Sequence, residues 1–200
     1  TDDRGLGVLH SDLLVDLCVL MLAHVELHEE FAFLDPRPLL DEEEIRREGS
    51  PAGRLAGIIA PHIDLHRGGP LFAKAYARLR GEVPPRTVLI FGTAHFGEGG
   101  AYILSPKDFE TPLGRAEADR VFCETLLSAC GEDLTSGELA HRSEHSIEFQ
   151  VLFLQHLLPK GSFTMIPILC GSLLEGLSKD TRRAYIEKAL KLKSQIKGAM

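Results

Sequence analysis

Two short β-branched apolar runs, "RLAGIIAP" (54–61) and "RTVLIFG" (86–92), bracket a helix-like segment, and this constrains the fold more than any other feature. The segment "PLFAKAYARLRG" (70–81) has helical periodicity. Pro70 falls in its first turn and Gly81 beyond its end, where each is tolerated. Its apolar face is Leu71, Ala75, Ala77 and Leu79, with Phe72 and Tyr76 alongside. Strand, helix and strand this close together predict a βαβ unit, and hence a parallel sheet with a right-handed crossover.

The same alternation continues downstream. "AYILS" (101–105) is a short strand and "FTMIPILCG" (163–171) a buried one. Helices are predicted over 114–130, with Val121, Leu126 and Leu127 on the apolar side, and over 146–158. A further helix is predicted from a Ser178 cap to Gly198, with Tyr185, Ala189, Leu192 and Ile196 at helical spacing. The pattern predicts an α/β fold, an αβα sandwich with a mainly parallel sheet and helices on both faces.

Residues 1–50 read as a separate N-terminal helical extension, joined by "GSPAG" (49–53) to an α/β domain over 54–200. Within the extension, "LLVDLCVLMLA" (13–23) is read as a packed helix. It is too short for a bilayer, is interrupted by Asp16 and lacks the leader of a signal peptide. "FLDPRP" follows as a turn and "LLDEEEIRRE" as a second helix.

Composition narrows the partners. With 44% hydrophobic and 26% charged residues the chain can bury a core. A net charge of −7 without a basic tract argues against nucleic acid or an anionic membrane, leaving a small molecule, peptide or protein. Cys18, Cys123, Cys130 and Cys170 form no C-x-x-C pair, which suggests reduced thiols in a cytoplasmic protein.

Ligands of open parallel sheets bind beyond the carboxyl ends of the strands. His62 lies just past the first strand and His95 just past the second, so both are expected at one edge, with rings within about 5 Å if they share a metal. Two imidazoles there suit iron, zinc or copper. Gly68 and Gly69, and Gly92, Gly97, Gly99 and Gly100, flank them and are expected to allow tight turns near a ligand. Asp64 and His66 are either orienting partners of His62 or solvated loop residues. His10, His24, His28 and His156 have no such placement.

"HRSEHSIEFQ" (141–150) matches the H-x-x-E-H pattern of inverted zinc peptidases. That reading needs His141 and His145 on one helix. Ser143 instead looks like an N-cap, which would leave His141 outside. His145 and Glu148 would then share a first helical turn facing the cleft, as acid–base partners or as ordinary capping residues. Cys170 reaches the same edge, with a small buried hydrophobe as its simpler reading.

"IIAPHIDLHRGG", "VLIFGTAHF", "EHSIEFQVLFLQ" and "IPILCGS" together, in order and spacing over about 54–175, resemble the Memo-like family, also called AmmeMemoRadiSam system protein B. The pentad E-H-S-I-E (144–148) is the most distinctive piece. The resemblance implies a fold similar to class III extradiol dioxygenases, with a non-haem iron site. It implies His62 and His95 as metal ligands, Fe(II) as cofactor with copper or zinc as alternatives, and AMMECR-type and radical SAM proteins as partners. Where the family tends to A-P-H-A-G-Y, this chain has Ala60 to Leu65 as A-P-H-I-D-L. The family's later S-S-D-x-x-H stretch and its third ligand, a cysteine, find no match in residues 172–200, which hold neither His nor Cys. Two functions remain open: a metal-dependent protein with redox or dioxygenase-type activity, and a non-catalytic module binding a peptide or protein through the same cleft.

Overall fold

A computed structural model describes residues 17–22, 55, 57–80, 85–95, 100–171 and 179–199. The strands are β1 (Leu17–Leu22), β2 (Gly57–Ala60), β3 (Thr87–Thr93), β4 (Tyr102–Leu104), β5 (Phe109–Thr111), β6 (Gly114–Ala116) and β7 (Thr164–Cys170). The helices are α1 (Leu65–Ala77), α2 (Arg120–Cys130), α3 (Glu148–Leu157) and α4 (Lys179–Ala199), with a 3-10 turn at Glu138–Arg142. One mixed sheet runs β2-β1-β3-β7-β4, parallel except for β4 at its edge, and β5 and β6 form a separate antiparallel pair.

The first correction is β1. Leu17–Leu22 is not part of a helix but a strand paired on both sides with parallel neighbours. A strand set between parallel partners reads as a continuous apolar run rather than an alternating one, so "LCVLML" carries no periodicity to separate it from a buried helix. These six residues belong to the sheet rather than to a helical extension. The turn, second helix and linker expected over 33–53, and His10, His24 and His28, lie outside the described residues.

Helix α1 begins before Pro70, because Asp64 caps it by accepting the Arg67 N–H at 2.9 Å. Pro70 therefore sits inside the helix, and the acceptor it leaves without an N–H is on exposed His66, which water can reach. Gly68 and Gly69 are buried helix residues, not loop glycines. A Cβ on Gly68 would lie 2.6 Å from Ile63 Cγ1, so glycine here lets the helix close against its own entry. The buried face is Phe72, Ala73, Tyr76 and Ala77, while Leu71 is exposed.

Helix α2 is shorter than predicted because 114–116 pairs with 109–111, and Asp119 caps the remainder through the Phe122 N–H. Leu126 is buried, but Val121 faces solvent. In α4, Leu192 and Ile196 are buried as expected, while Ser178 lies outside the described residues.

Alternate positions of the central strands divide between two apolar clusters. Val88, Ile90, Met165 and Leu169 pack with α1 and α3 residues such as Phe72, Tyr76, Val151 and Phe153. Leu89, Ile166 and Ile168 pack with Leu126 of α2 and with Leu192 and Ile196 of α4. The period-2 alternation of a strand accounts for the split. Among the described residues no helix is long and apolar enough to cross a membrane.

Candidate metal centre

β2 and β3 both run parallel to β1, so their carboxyl ends emerge at one edge. His62 follows β2 by two residues and His95 follows β3 by two. Their Nε2 atoms face each other at 3.2 Å, with ring centroids 5.0 Å apart. Two nitrogens each about 2.0–2.1 Å from one ion, at an angle of about 90–110°, would lie about 2.8–3.4 Å apart. The observed separation falls within that range.

Glu144 decides which lone pair points inward. Its carboxylate is buried and accepts from His95 twice, through the backbone N–H and, at 2.8 Å, through Nδ1. A carboxylate only accepts, so Nδ1 carries the proton and Nε2 of His95 presents its lone pair toward His62. Carboxylate partners of this kind fix the tautomer of metal-binding histidines. Ligand atoms of His95, Glu144 and His145 also lie within 4.8 Å of one another. With both Glu144 oxygens engaged by His95, its role in this arrangement is to orient.

His145 completes a group of three imidazoles. Its ring stacks on His95 at 5.2 Å and 10°, and lies 6.1 Å from His62. Its Nε2 donates to the His62 carbonyl at 3.1 Å, which leaves the lone pair on Nδ1. Burial, reinforced by the neighbouring His95, lowers its pKa, so it stays neutral at physiological pH. Glu148 is the first residue of α3, not a turn-mate of His145 within a helix. It is half-buried, and burial alone pushes its carboxyl above the usual range.

The segment 144–150 acts as a clasp across the strand ends. Ser146 Oγ accepts from the Thr93 N–H at 2.9 Å and donates to the Thr93 carbonyl at 3.0 Å. Ile147 packs over Gly92 so closely that a Cβ there would sit 2.5 Å from Ile147 Cγ1. Helix α3 starts at Glu148 rather than Ser143 because Ser146 spends its hydroxyl on β3 and Ser143 bonds back to Ala140.

His141 is on a different element, the 3-10 turn, and its Nε2 donates to the Ile103 carbonyl at 2.9 Å. The peptidase arrangement is therefore absent: His141 ties down the edge strand β4. Burial outweighs the nearby Glu138 and Glu144 and holds its pKa below the ordinary imidazole value. The folded state thus favours neutral His141, and the unfolded chain takes up the proton first as pH falls. This contribution is fully present above the unfolded pKa of about 6.5 and is lost as pH falls through the folded value. His141→Gln keeps an N–H for Ile103 and is expected to remove part of the acid sensitivity. Urea melts at about pH 7.5 and about pH 5 test this, and equal slopes for the two proteins would refute it.

Other candidates play different parts. Asp64 caps α1 and His66 is exposed, so neither assists His62 as the sequence allowed. Cys123, Cys130 and Cys170 are free thiols. Burial raises the pKa of Cys123 and Cys170 to about 12, which keeps both protonated and unreactive. Glu144, Ser146 and Gln150 are the residues sequence reasoning missed as site-builders. The available signal was their position in "EHSIEFQ", directly beside His145.

The family model for Memo-like proteins matches residues 37–195. The chain belongs to the Memo-like family. It is 39% identical over 118 residues to a MEMO1 family protein of Methanopyrus kandleri, covering 57% of this chain and 40% of that protein. It is 33% identical over 118 residues to a MEMO1 family protein of Aquifex aeolicus, covering 59% and 31%. A MEMO1 family protein of Methanococcus maripaludis shows 31% identity over 156 residues, covering 74% and 54%. The chain thus spans roughly a third to a half of these Memo-like relatives. No solved structure matches it.

Proposed function

We propose that this Memo-like chain binds a divalent transition metal through His62 and His95, with Fe(II) foremost and copper or zinc as alternatives, in support of redox or dioxygenase-type chemistry. The observation that carries this reading is the pair of Nε2 atoms at 3.2 Å, with the His95 tautomer set by Glu144. The donor set fits: imidazole nitrogens suit iron, copper and zinc alike. Bound iron would supply Lewis acidity and redox capacity at the sheet edge.

The chain's own residues would do the rest. Glu144 holds His95 in its Nδ1–H form. His145, neutral with a lone pair on Nδ1, and Glu148, with its raised carboxyl pKa, are the candidates to accept and return a proton. The same reading takes β1 together with residues 54–200 as an αβα sandwich, supported by the two-sided division of the core. It places the protein in the cytoplasm, supported by its free thiols, with a small molecule or peptide as ligand and AMMECR-type and radical SAM proteins as partners.

Metal analysis of the purified protein tests the reading. Stoichiometric iron or copper supports it, and metal-free protein that takes up none on titration would favour a peptide-binding module instead. Glu144→Gln sets an amide NH2 against one of the two His95 N–H groups. It is expected to weaken metal binding about 10–100-fold, the usual effect of losing such a partner. Unchanged affinity would show that Glu144 does not orient the ligand.

A further inference from the structure

We infer that Gln150 is a positioning residue that sets the separation of His62 and His95 without touching either ring. It is fully buried, and all its polar contacts are accounted for. Nε2 donates to the Pro61 carbonyl at 3.1 Å and to the Ser146 carbonyl at 3.1 Å, and Oε1 accepts from the Tyr76 hydroxyl at 2.7 Å. Two carbonyls on one side admit only the NH2 group, so the amide has a single orientation.

Those partners lie on both histidine-bearing paths. Pro61 immediately precedes His62, and Ser146 grips Thr93, two residues before His95. Gln150 therefore links the end of β2 to the segment that pins the end of β3. Tyr76, buried in α1, anchors the link from a third element. A Gln in the first turn of an apolar helix would otherwise be a poor choice for a fully buried position. Three satisfied bonds to three elements make it a spacer. Without it, the Pro61 carbonyl loses its bond to the segment carrying Glu144 and His145, and the bond from His145 to the His62 carbonyl has to hold the two together.

The consequence for metal binding rests on the reading proposed above, whereas the geometric consequence does not. Gln150→Met keeps the volume and removes all three side-chain bonds. Gln150→Glu is the second variant if the first fails to fold, since a carboxylate must repel the two carbonyls or, protonated, satisfy one of them. Leu126→Ala, in the apolar cluster on the other side of the sheet, serves as a control destabilised without touching the clasp. NOEs between the His62 and His95 ring protons are measured on the metal-free proteins, and Co(II) affinity by titration. The expected result is that the Gln150 variant loses the ring-to-ring NOE and binds Co(II) about 10–100-fold more weakly, while the control keeps both. A folded Gln150 variant that retains the NOE overturns the inference. A parent that shows the NOE but binds no Co(II) would defeat the metal reading, and the NOE comparison would still decide the role of Gln150.

Discussion

His62→Ala is expected to abolish the divalent-metal binding proposed for this chain, with a fall of at least about 100-fold, beyond the 10–100-fold that loss of an orienting partner costs. The proposed site rests on two convergent Nε2 nitrogens, and alanine removes one of them and leaves His95 without its counterpart. The parent itself is expected to bind weakly, because structural and catalytic sites usually supply three or four protein donors. His95→Ala should match His62→Ala, while His156→Ala, at the far end of α3, should leave binding unchanged. Titration calorimetry with Zn(II) as a redox-inert stand-in for Fe(II), near about pH 7.5 where an ordinary imidazole is neutral, makes the comparison. Tight one-to-one binding that survives His62→Ala would place the site elsewhere.

Gly92→Ala is expected to be among the most damaging single-methyl changes in the chain. The added carbon would lie 2.5 Å from Ile147 Cγ1, 2.6 Å from Ser146 Oγ and 3.0 Å from Leu169 Cδ2. Ile147, Ser146 and Leu169 are all buried, and Ser146 is held by two bonds to Thr93, so none can yield freely. Overpacking costs about 1–3 kcal/mol, and each strained hydrogen bond about 1 kcal/mol more. A total near 3 kcal/mol corresponds to a fall in Tm of about 6–12 °C for a domain of this size. Because the displaced segment carries Glu144 and His145, metal affinity should fall with stability. Calorimetric scans and metal titration of the same variant test both, and a Tm within about 2 °C of the parent would mean the clasp gives way more easily than its contacts imply.

The βαβ unit was legible because "RLAGIIAP" and "RTVLIFG" are short β-branched apolar runs closed by Pro61 and Gly92, while the segment between them has helical periodicity. The sheet-edge rule then placed His62 and His95 together from topology alone, since parallel strands share a carboxyl end. It failed where periodicity is silent. Leu17–Leu22, lying between two parallel neighbours, is uniformly apolar, so its sequence cannot distinguish strand from helix. The start of α1 was misplaced because a proline suggests a first turn, whereas Asp64 had already capped the helix upstream.

The sequence by itself determined the fold class, the family and the two histidines at the strand ends. Those follow from local pattern and chain order. Only the tertiary structure decided what "EHSIEFQ" does. Glu144 accepts from a residue 49 positions away, and Gln150 reaches Pro61 89 positions away. Hydrogen bonds across such distances depend on how the sheet edge is packed against α1 and α3. Residue type shows that a buried carboxylate or amide needs partners, but only the folded chain shows which partners it has.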